Sequence, residues 1–201
     1  MKARWCLQAC GPLLIAGCAS TPVHYHTLVP ASPGDTSALS LSGYRIEIAP
    51  VRIPAQVDRY ELVVRRSDGG ITLADGELWI ASPADELRGA LRVELIRKLG
   101  SAGGAPSVAP PAILLRVEVE RFDSALARYV LLEASWHVRV KTAQGEENLT
   151  CRSLAYQRVS GGYDALVLGH QRAVAAVADQ IAAAAEHMVN GSAVACPEPR
   201  P

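Results

Sequence analysis

The chain has 201 residues with 20 basic and 20 acidic side chains, so its formal net charge is zero. At 49% hydrophobic it can fold around one core. No excess or cluster of positive charge supports nucleic-acid binding, and no apolar run of 18 or more residues offers a transmembrane helix. Aromatics reach only 5%, with a single phenylalanine at Phe122, too few for a base-stacking platform or an aromatic cage.

Lys2 and Arg4 precede an apolar stretch from Trp5 to Gly17, and no acidic residue occurs before Asp35. A charged start, a short apolar run and small residues before a cut predict a signal peptide over residues 1–17. Leu14-Ile15-Ala16-Gly17-Cys18 resembles the bacterial lipobox. That resemblance implies diacylglycerol on the Cys18 thiol, which becomes the mature N-terminus; an ordinary secretory signal with a coincidental Cys is the alternative. With about 0.8 kcal/mol per buried methylene, three acyl chains make a permanent anchor. By resemblance to enteric sorting rules, Ala19 in place of Asp implies the inner leaflet of the outer membrane. Losing Lys2 and Arg4 leaves 18 basic against 20 acidic residues.

This compartment decides the cysteines. Cys6 and Cys10 leave with the signal and Cys18 is acylated, so Cys151 and Cys196 remain. In an oxidising compartment a disulfide between them is the expectation, two separate thiols the alternative. Neither has a second Cys or a His within four residues, so no metal site is expected there.

Residues 20–42 carry three prolines, several Ser and Thr and one charge, and read as a tether long enough to hold the domain off the membrane. Within it, residues 23–28 suggest a short edge strand packing Tyr25 and Leu28. His24 and His26 would point the same way there, but two ligands without a third make a weak metal motif. Alternation at Ile46 and Ile48 predicts a strand from Tyr44 to about Pro54. Residues 61–65 and 71–73 flank Ser67-Asp68-Gly69-Gly70 as a hairpin. Ser82, Pro83 and Asp85 start a helix with a capping box, Leu87, Leu91, Leu95 and Leu99 form its buried stripe, and Gly100 is its expected stop.

Residues 101–111 read as a loop. Ile113, Leu115, Val117 and Val119, then Val130, Leu132, Ala134, Trp136, Val138 and Val140, alternate with residues that are polar except for Leu114 and Leu131, and predict two long strands joined by residues 123–128. A turn at Gln144-Gly145-Glu146 leads to a third strand over 149–158. A last helix begins near Asp164 with Val174, Val177, Ile181, Ala185 and Met188 on its buried face, and Asn190-Gly191 ends it. The fold class is α/β, α+β-like: a mixed, largely antiparallel sheet packed with two main helices in a single domain. The boundaries are signal 1–17, lipidated N-terminus and tether 18–43, domain 44–190 and Pro-rich tail 191–201.

Chemistry is harder to find. No GxSxG, HExxH, GxxxxGK[ST] or GxGxxG motif occurs. His137 reads as a surface residue in an ion-pair face that includes Glu118, Glu120, Glu133 and Arg139, a face left to solvent or to a partner. His170 and His187 read as exposed positions on the last helix. No catalytic residue, metal or cofactor is assigned.

The segments Ile48-Ala-Pro-Val-Arg-Ile-Pro54, Val57-Asp58-Arg59 and Leu62-Val-Val-Arg65 resemble the PqiC/YmbA family of lipoproteins. So do Leu78-Trp79-Ile80-Ala81-Ser82-Pro83, Val119-Glu-Arg-Phe122, Leu132-Glu-Ala-Ser-Trp136 and Gly162-Tyr-Asp-Ala-Leu-Val167, in the family's order. The resemblance implies an auxiliary outer-membrane lipoprotein of an ABC-type lipid transport system. Its partners would be MCE-domain proteins of the inner membrane whose periplasmic tunnel it docks, with several copies forming a ring in support of envelope integrity. The loop of Asp58, Arg59 and Tyr60, with Arg65, is the expected partner-binding site, since aromatic and Arg residues suit an interface core; a local ion-pair set that only shapes the loop is the alternative. Other functional readings are a stand-alone lipid- or peptidoglycan-binding lipoprotein and a lipid-anchored periplasmic hydrolase.

Overall fold

A computed structural model describes residues 22–31, 43–102 and 110–196. The elements run β1 (His24–His26), β2 (Arg45–Ile48), β3 (Glu61–Arg65), β4 (Ile71–Trp79), α1 (Pro83–Ala102), β5 (Ala112–Ala125), β6 (Tyr129–Thr142), β7 (Gly145–Arg158) and α2 (Tyr163–Val189). The architecture is mixed α/β with two helices, but the strands form two sheets where the sequence suggested one. A large sheet has the order β2-β5-β6-β7 and a small one the order β1-β4-β3. In each, the first strand joins its neighbour in parallel and the remaining pairs are antiparallel.

Strand alternation builds the core. Ile113, Leu115, Val117 and Val119 of β5 and the six expected positions of β6 all point inward and are buried. The two helices cover that face, α2 crossing β6 and β7 while α1 lies beside α2 and over β2. Leu87, Leu91, Leu95 and Leu99 are fully or almost fully buried, as are Val174, Val177, Ile181, Ala185 and Met188. The Asp85 amide donates to Ser82 Oγ at 3.2 Å, and Ser82 Oγ donates back to Asp85 Oδ2 at 2.8 Å. Ser82 thus caps α1 as expected, while Asp85 bonds the Ser82 hydroxyl rather than its amide, so the reciprocal half of the box is replaced by a side-chain pair. Its end differs: α1 runs through Gly100 to Ala102, because the stripe that ends at Leu99 outweighs one glycine's modest helical cost. One chain of buried polar groups links sheet and helix. Trp136 Nε1 donates to Ser153 Oγ at 2.7 Å, and that hydroxyl donates to Gln180 Oε1 at 2.6 Å, stitching α2 to the sheet.

The long strand β5 is not regular throughout. Val119 faces Ala134 while Arg121 faces Glu133, a bulge that inserts one extra residue into β5. The alternation flips there, sending Phe122 and Ser124 into the core and leaving Arg121 and Asp123 on the outside.

The short edge strand expected within residues 20–42 is present. Residues 24–26 pair with β4, and Leu28 is completely buried. Thr27 Oγ1 and the Leu28 amide both donate to a Glu86 carboxylate oxygen on α1 at 2.7 Å, and Gln171 Nε2 on α2 donates to the Thr27 carbonyl at 3.0 Å. Residues 24–28 therefore belong to the folded body. Tyr25, expected to pack, is 64% exposed because alternation turns it to the outer face, opposite the buried Leu28 side.

Candidate functional site

The expected partner loop is held at both ends. The Val57 and Asp58 amides donate to the Pro54 carbonyl at 3.0 and 3.2 Å, closing a turn, and the Trp79 amide donates to the Tyr60 carbonyl at 2.7 Å. Asp58 Oδ1 lies 3.4 Å from the Ala84 amide in the first turn of α1, where negative charge is favoured by the unpaired amides. Arg59 Nε donates to Glu61 Oε2 at 3.1 Å; the Glu61 amide first, and then this hydrogen bond, hold the Glu61 carboxyl below its usual range. Tyr60 is 59% exposed on this pinned backbone. An aromatic ring held out to solvent at little conformational cost is what an interface anchor requires.

Arg65 stands apart from these three. It lies at the opposite end of β3, where its Nη2 donates to Asp123 Oδ1 at 3.0 Å, while Arg121 Nη2 donates to Asp123 Oδ2 at 2.9 Å. Burial acts to raise the Asp123 carboxyl, but the two guanidinium hydrogen bonds and charges together hold it below the usual carboxylate range. The structure brings together Asp58, Arg59 and Tyr60 and gives Arg65 a different partner. A cavity of about 240 Å³ separates the two places, lined by Pro54, Val57, Val63, Arg65, Ile71 and Ser124 among others.

His24 and His26 meet one carboxylate. His24 Nδ1 is 2.9 Å from Glu77 Oε1 and His26 Nε2 is 2.5 Å from Glu77 Oε2. The Glu77 hydrogen bond and charge raise the His24 imidazole above its ordinary value. Burial works to raise Glu77, but the two imidazoles prevail and hold it low. Glu77 satisfies both rings as a hydrogen-bond bridge between β1 and β4. Among the described residues no group of three or more His, Cys, Asp or Glu side chains is arranged to hold a metal.

His170 corrects an expectation. It is fully buried, stacked on Phe122 with ring centroids 4.2 Å apart and edge-on to Trp79 at 6.1 Å. Its Nε2 is 2.7 Å from Ser124 Oγ, and its Nδ1 has no hydrogen-bond partner. Burial pushes the imidazole down to about 3, against a weak upward pull from Asp123. The clue was in the sequence: positions 170, 174, 177 and 181 form one stripe of α2, so His170 lies on the buried face. Ser124 is buried as well, and Asp123, the acid whose charge reaches the imidazole, is engaged by two arginines rather than by Nδ1. The serine–histidine contact is therefore a core hydrogen bond.

Outside the large sheet, the polar face that the alternation predicts is present. Arg152 pairs with Glu120 and, at 2.9 Å, with Glu133, and Arg139 and Lys141 each approach Glu146 at 3.2 Å. A groove of about 690 Å³ crosses this face between the Ala49–Arg52 segment and β5–β6, lined by Arg116, Glu118 and His137. Cys151 on β7 and Cys196 beyond α2 are joined by a disulfide with Cα atoms 5.4 Å apart. Residues 1–17, Cys18 and residues 197–201 lie outside the described residues. No described helix is long and apolar enough to cross a membrane.

Residues 26–182 match the family model of the ABC-type transport auxiliary lipoprotein component. No curated protein matches the chain. Among solved structures, the crystal structure of an uncharacterised protein is similar with a TM-score of 0.59 at 18% identity, covering 81% of this chain and 98% of that one. A protein from Xanthomonas campestris gives a TM-score of 0.47 at 16% identity, covering 84% and 96%. A minor lipoprotein from Acinetobacter baumannii gives 0.34 at 16%, covering 78% and 98%. The first of these shares the fold. The family match spans most of the chain and runs from β1 into α2, so the chain belongs to the family of ABC-type transport auxiliary lipoprotein components.

Proposed function

We propose that this protein is an outer-membrane lipoprotein, anchored through Cys18, that docks the periplasmic tunnel of an MCE-domain protein in an ABC-type lipid transport system. The observation that carries this reading is the family match over residues 26–182. The protein acts by binding, without turnover of its own, and works as a ring of copies. The loop of Asp58, Arg59 and Tyr60 supplies the contact, with Tyr60 as its anchor. Arg65 shapes the fold through Asp123 and is left out of the contact.

The test is capture of the MCE-domain protein from detergent-solubilised envelopes. Arg59→Ala with Tyr60→Ala should weaken capture at least tenfold, about 1.4 kcal/mol, while leaving the melting temperature nearly unchanged. A double variant that melts several degrees earlier while its folded fraction binds normally would move the interface elsewhere. Native mass spectrometry of the lipoprotein alone reads the number of copies, and a monomer at every concentration would remove the ring. Cys18→Ser should release the protein from the membrane fraction or leave it unprocessed.

A further inference from the structure

The leash from the acylation site to the fold is short. Six residue steps separate Cys18 from His24, the first residue of β1, a reach of about 20 Å when fully extended. β1 itself is firmly held. It pairs with β4, its two histidines bridge to Glu77, and Thr27 and Leu28 are fastened to Glu86 on α1. An acyl chain at Cys18 would therefore bring the small sheet to the bilayer, whatever lies between residues 32 and 42.

That sheet turns to solvent an outer face that is apolar along β1 and β4 and charged on β3, at Glu61 and Arg65. Its inner face is core, through Leu62, Val64 and Trp79. On the outer side the register sets Tyr25 opposite Leu78, Leu73 opposite Val63 and Ile71 opposite Arg65. Val23 precedes Tyr25 by two residues and Ile80 follows Leu78 by two, extending the same side at the β1 edge. Among the described residues nine large apolar side chains are exposed, and five of them, Val23, Tyr25, Ile71, Leu73 and Ile80, belong to this one small sheet and its margins. Single exposed apolar residues are ordinary, whereas a concentration of this kind marks a contact surface.

We propose that the outer face of the small sheet rests on the phospholipid surface into which Cys18 is anchored, with Tyr25, Leu73 and Ile71 at headgroup depth. The inference rests on acylation at Cys18, which belongs to the proposed function. A face held within about 20 Å of a bilayer meets it at a millimolar or higher effective concentration, so a contact too weak to bind vesicles unaided becomes the resting state. The amphipathic ring of Tyr25 suits the interface between acyl chains and water. The domain then sits against the membrane in one orientation, with the Pro54–Tyr60 loop at the border of the contact and the β6–β7 turn at the far end of the large sheet.

The experiment uses the full-length, lipidated protein in vesicles of phosphatidylethanolamine and phosphatidylglycerol containing a nitroxide-labelled phospholipid. An environment-sensitive fluorophore is placed at Tyr25→Cys, Leu73→Cys or, as the distal control, Gln144→Cys. Emission at positions 25 and 73 should shift to the blue and fall by more than half with the nitroxide lipid, and emission at 144 should not change. Equal quenching at all three positions, or at none while the protein still co-sediments with the vesicles, overturns the proposal and leaves the anchor intact. Shielding at 25 and 73 without quenching, accompanied by a doubled mass, would assign the face to a second copy and likewise overturn it. A protein that neither co-sediments nor carries acyl chains by mass spectrometry ends this proposal and the anchor together.

Discussion

The Ser124 hydroxyl and His170 Nε2 lie 2.7 Å apart inside the core, where the imidazole is pushed down to about 3 by burial. A neutral His170 has a consequence for acid stability. The unfolded chain protonates this side chain below its ordinary value of 6.5, whereas the folded one does not until about 3. The unfolded state therefore binds more protons throughout that window, and stability falls as pH falls, by up to about 1.4 kcal/mol per pH unit in its middle. The double variant Ser124→Ala, His170→Phe removes the titration without stranding a buried hydroxyl. From pH 7 to 4 the melting temperature of the wild type should fall more steeply than that of the variant. His24, whose imidazole is raised, works the other way, its contribution being complete below its ordinary value and lost as pH rises above it. It is present in both proteins and cancels. Parallel curves would mean that His170 is protonated or exposed in solution.

The close approach of α2 to the sheet yields a second prediction. A Cβ added at Gly169 would lie 2.5 Å from Val159 Cγ1 and 3.2 Å from Val130 Cγ2. Neither valine can turn away freely, since both are buried. Gly169→Ala should cost about 1–3 kcal/mol by overpacking, more than enough to cancel the helical advantage of alanine. Urea unfolding with an unchanged slope and a lower midpoint would show it. A stabilised variant would mean that α2 sits further from β6 and β7.

Much of this fold was readable in the sequence because its long strands alternate strictly and its helices carry leucine and alanine stripes. What escaped depended on contacts across many residues. The two-sheet division rests on the β3–β4 hairpin pairing with β1 rather than with the long strands, and although residues 23–28 read locally as an edge strand, nothing local names β4 as the partner. The bulge after Val119 leaves only a faint trace: unbroken alternation would turn Arg121 and Asp123 inward and Phe122 outward, but one apolar residue among charges does not fix where the extra residue sits. That single extra residue puts Ser124 beside His170 and Asp123 beside Arg65. The candidate loop was legible as composition, an exposed Tyr60 among charges, while the separation of Arg65 from it depends on β5.

The disulfide gives a third prediction. Cys151 and Cys196 close a loop with a sequence separation of 45, for which the chain-entropy account gives about 4 kcal/mol. Mass spectrometry of the unreduced mature protein should show the two cysteine peptides linked, and neither thiol should alkylate without reductant. Cys196→Ser should lower the melting temperature on the order of 10 °C. Val194, partly buried against the core, would lose its restraint in that variant, so new protease cleavage is expected after residue 190. Two thiols that alkylate freely in the folded protein would exclude the bridge.

Arg65 and the Arg59–Tyr60 pair should separate in their effects. The Arg65 guanidinium holds Asp123, whose side chain is only 13% exposed, and so fastens the end of β3 to β5. Arg65→Ala leaves that carboxylate with Arg121 alone, a loss of about 1–3 kcal/mol for a partly buried charged hydrogen bond. The loss should shrink on acidification, because the Asp123 carboxyl, held low in the fold, contributes stability above its ordinary value of 3.8 that disappears as pH falls through the lower folded value. Capture of the transport partner by the folded fraction should be unchanged. Arg59→Ala with Tyr60→Ala is expected to do the reverse, sparing stability and weakening capture, because Arg59 bonds the half-exposed Glu61 and the Tyr60 ring stands mostly in solvent. Thermal melts of the wild type and both variants at pH 7 and pH 3, with capture measured on each at pH 7, decide the matter. If Arg65→Ala abolishes capture at full stability, the contact surface extends along β3 to Asp123, and the loop alone is too small a description of it.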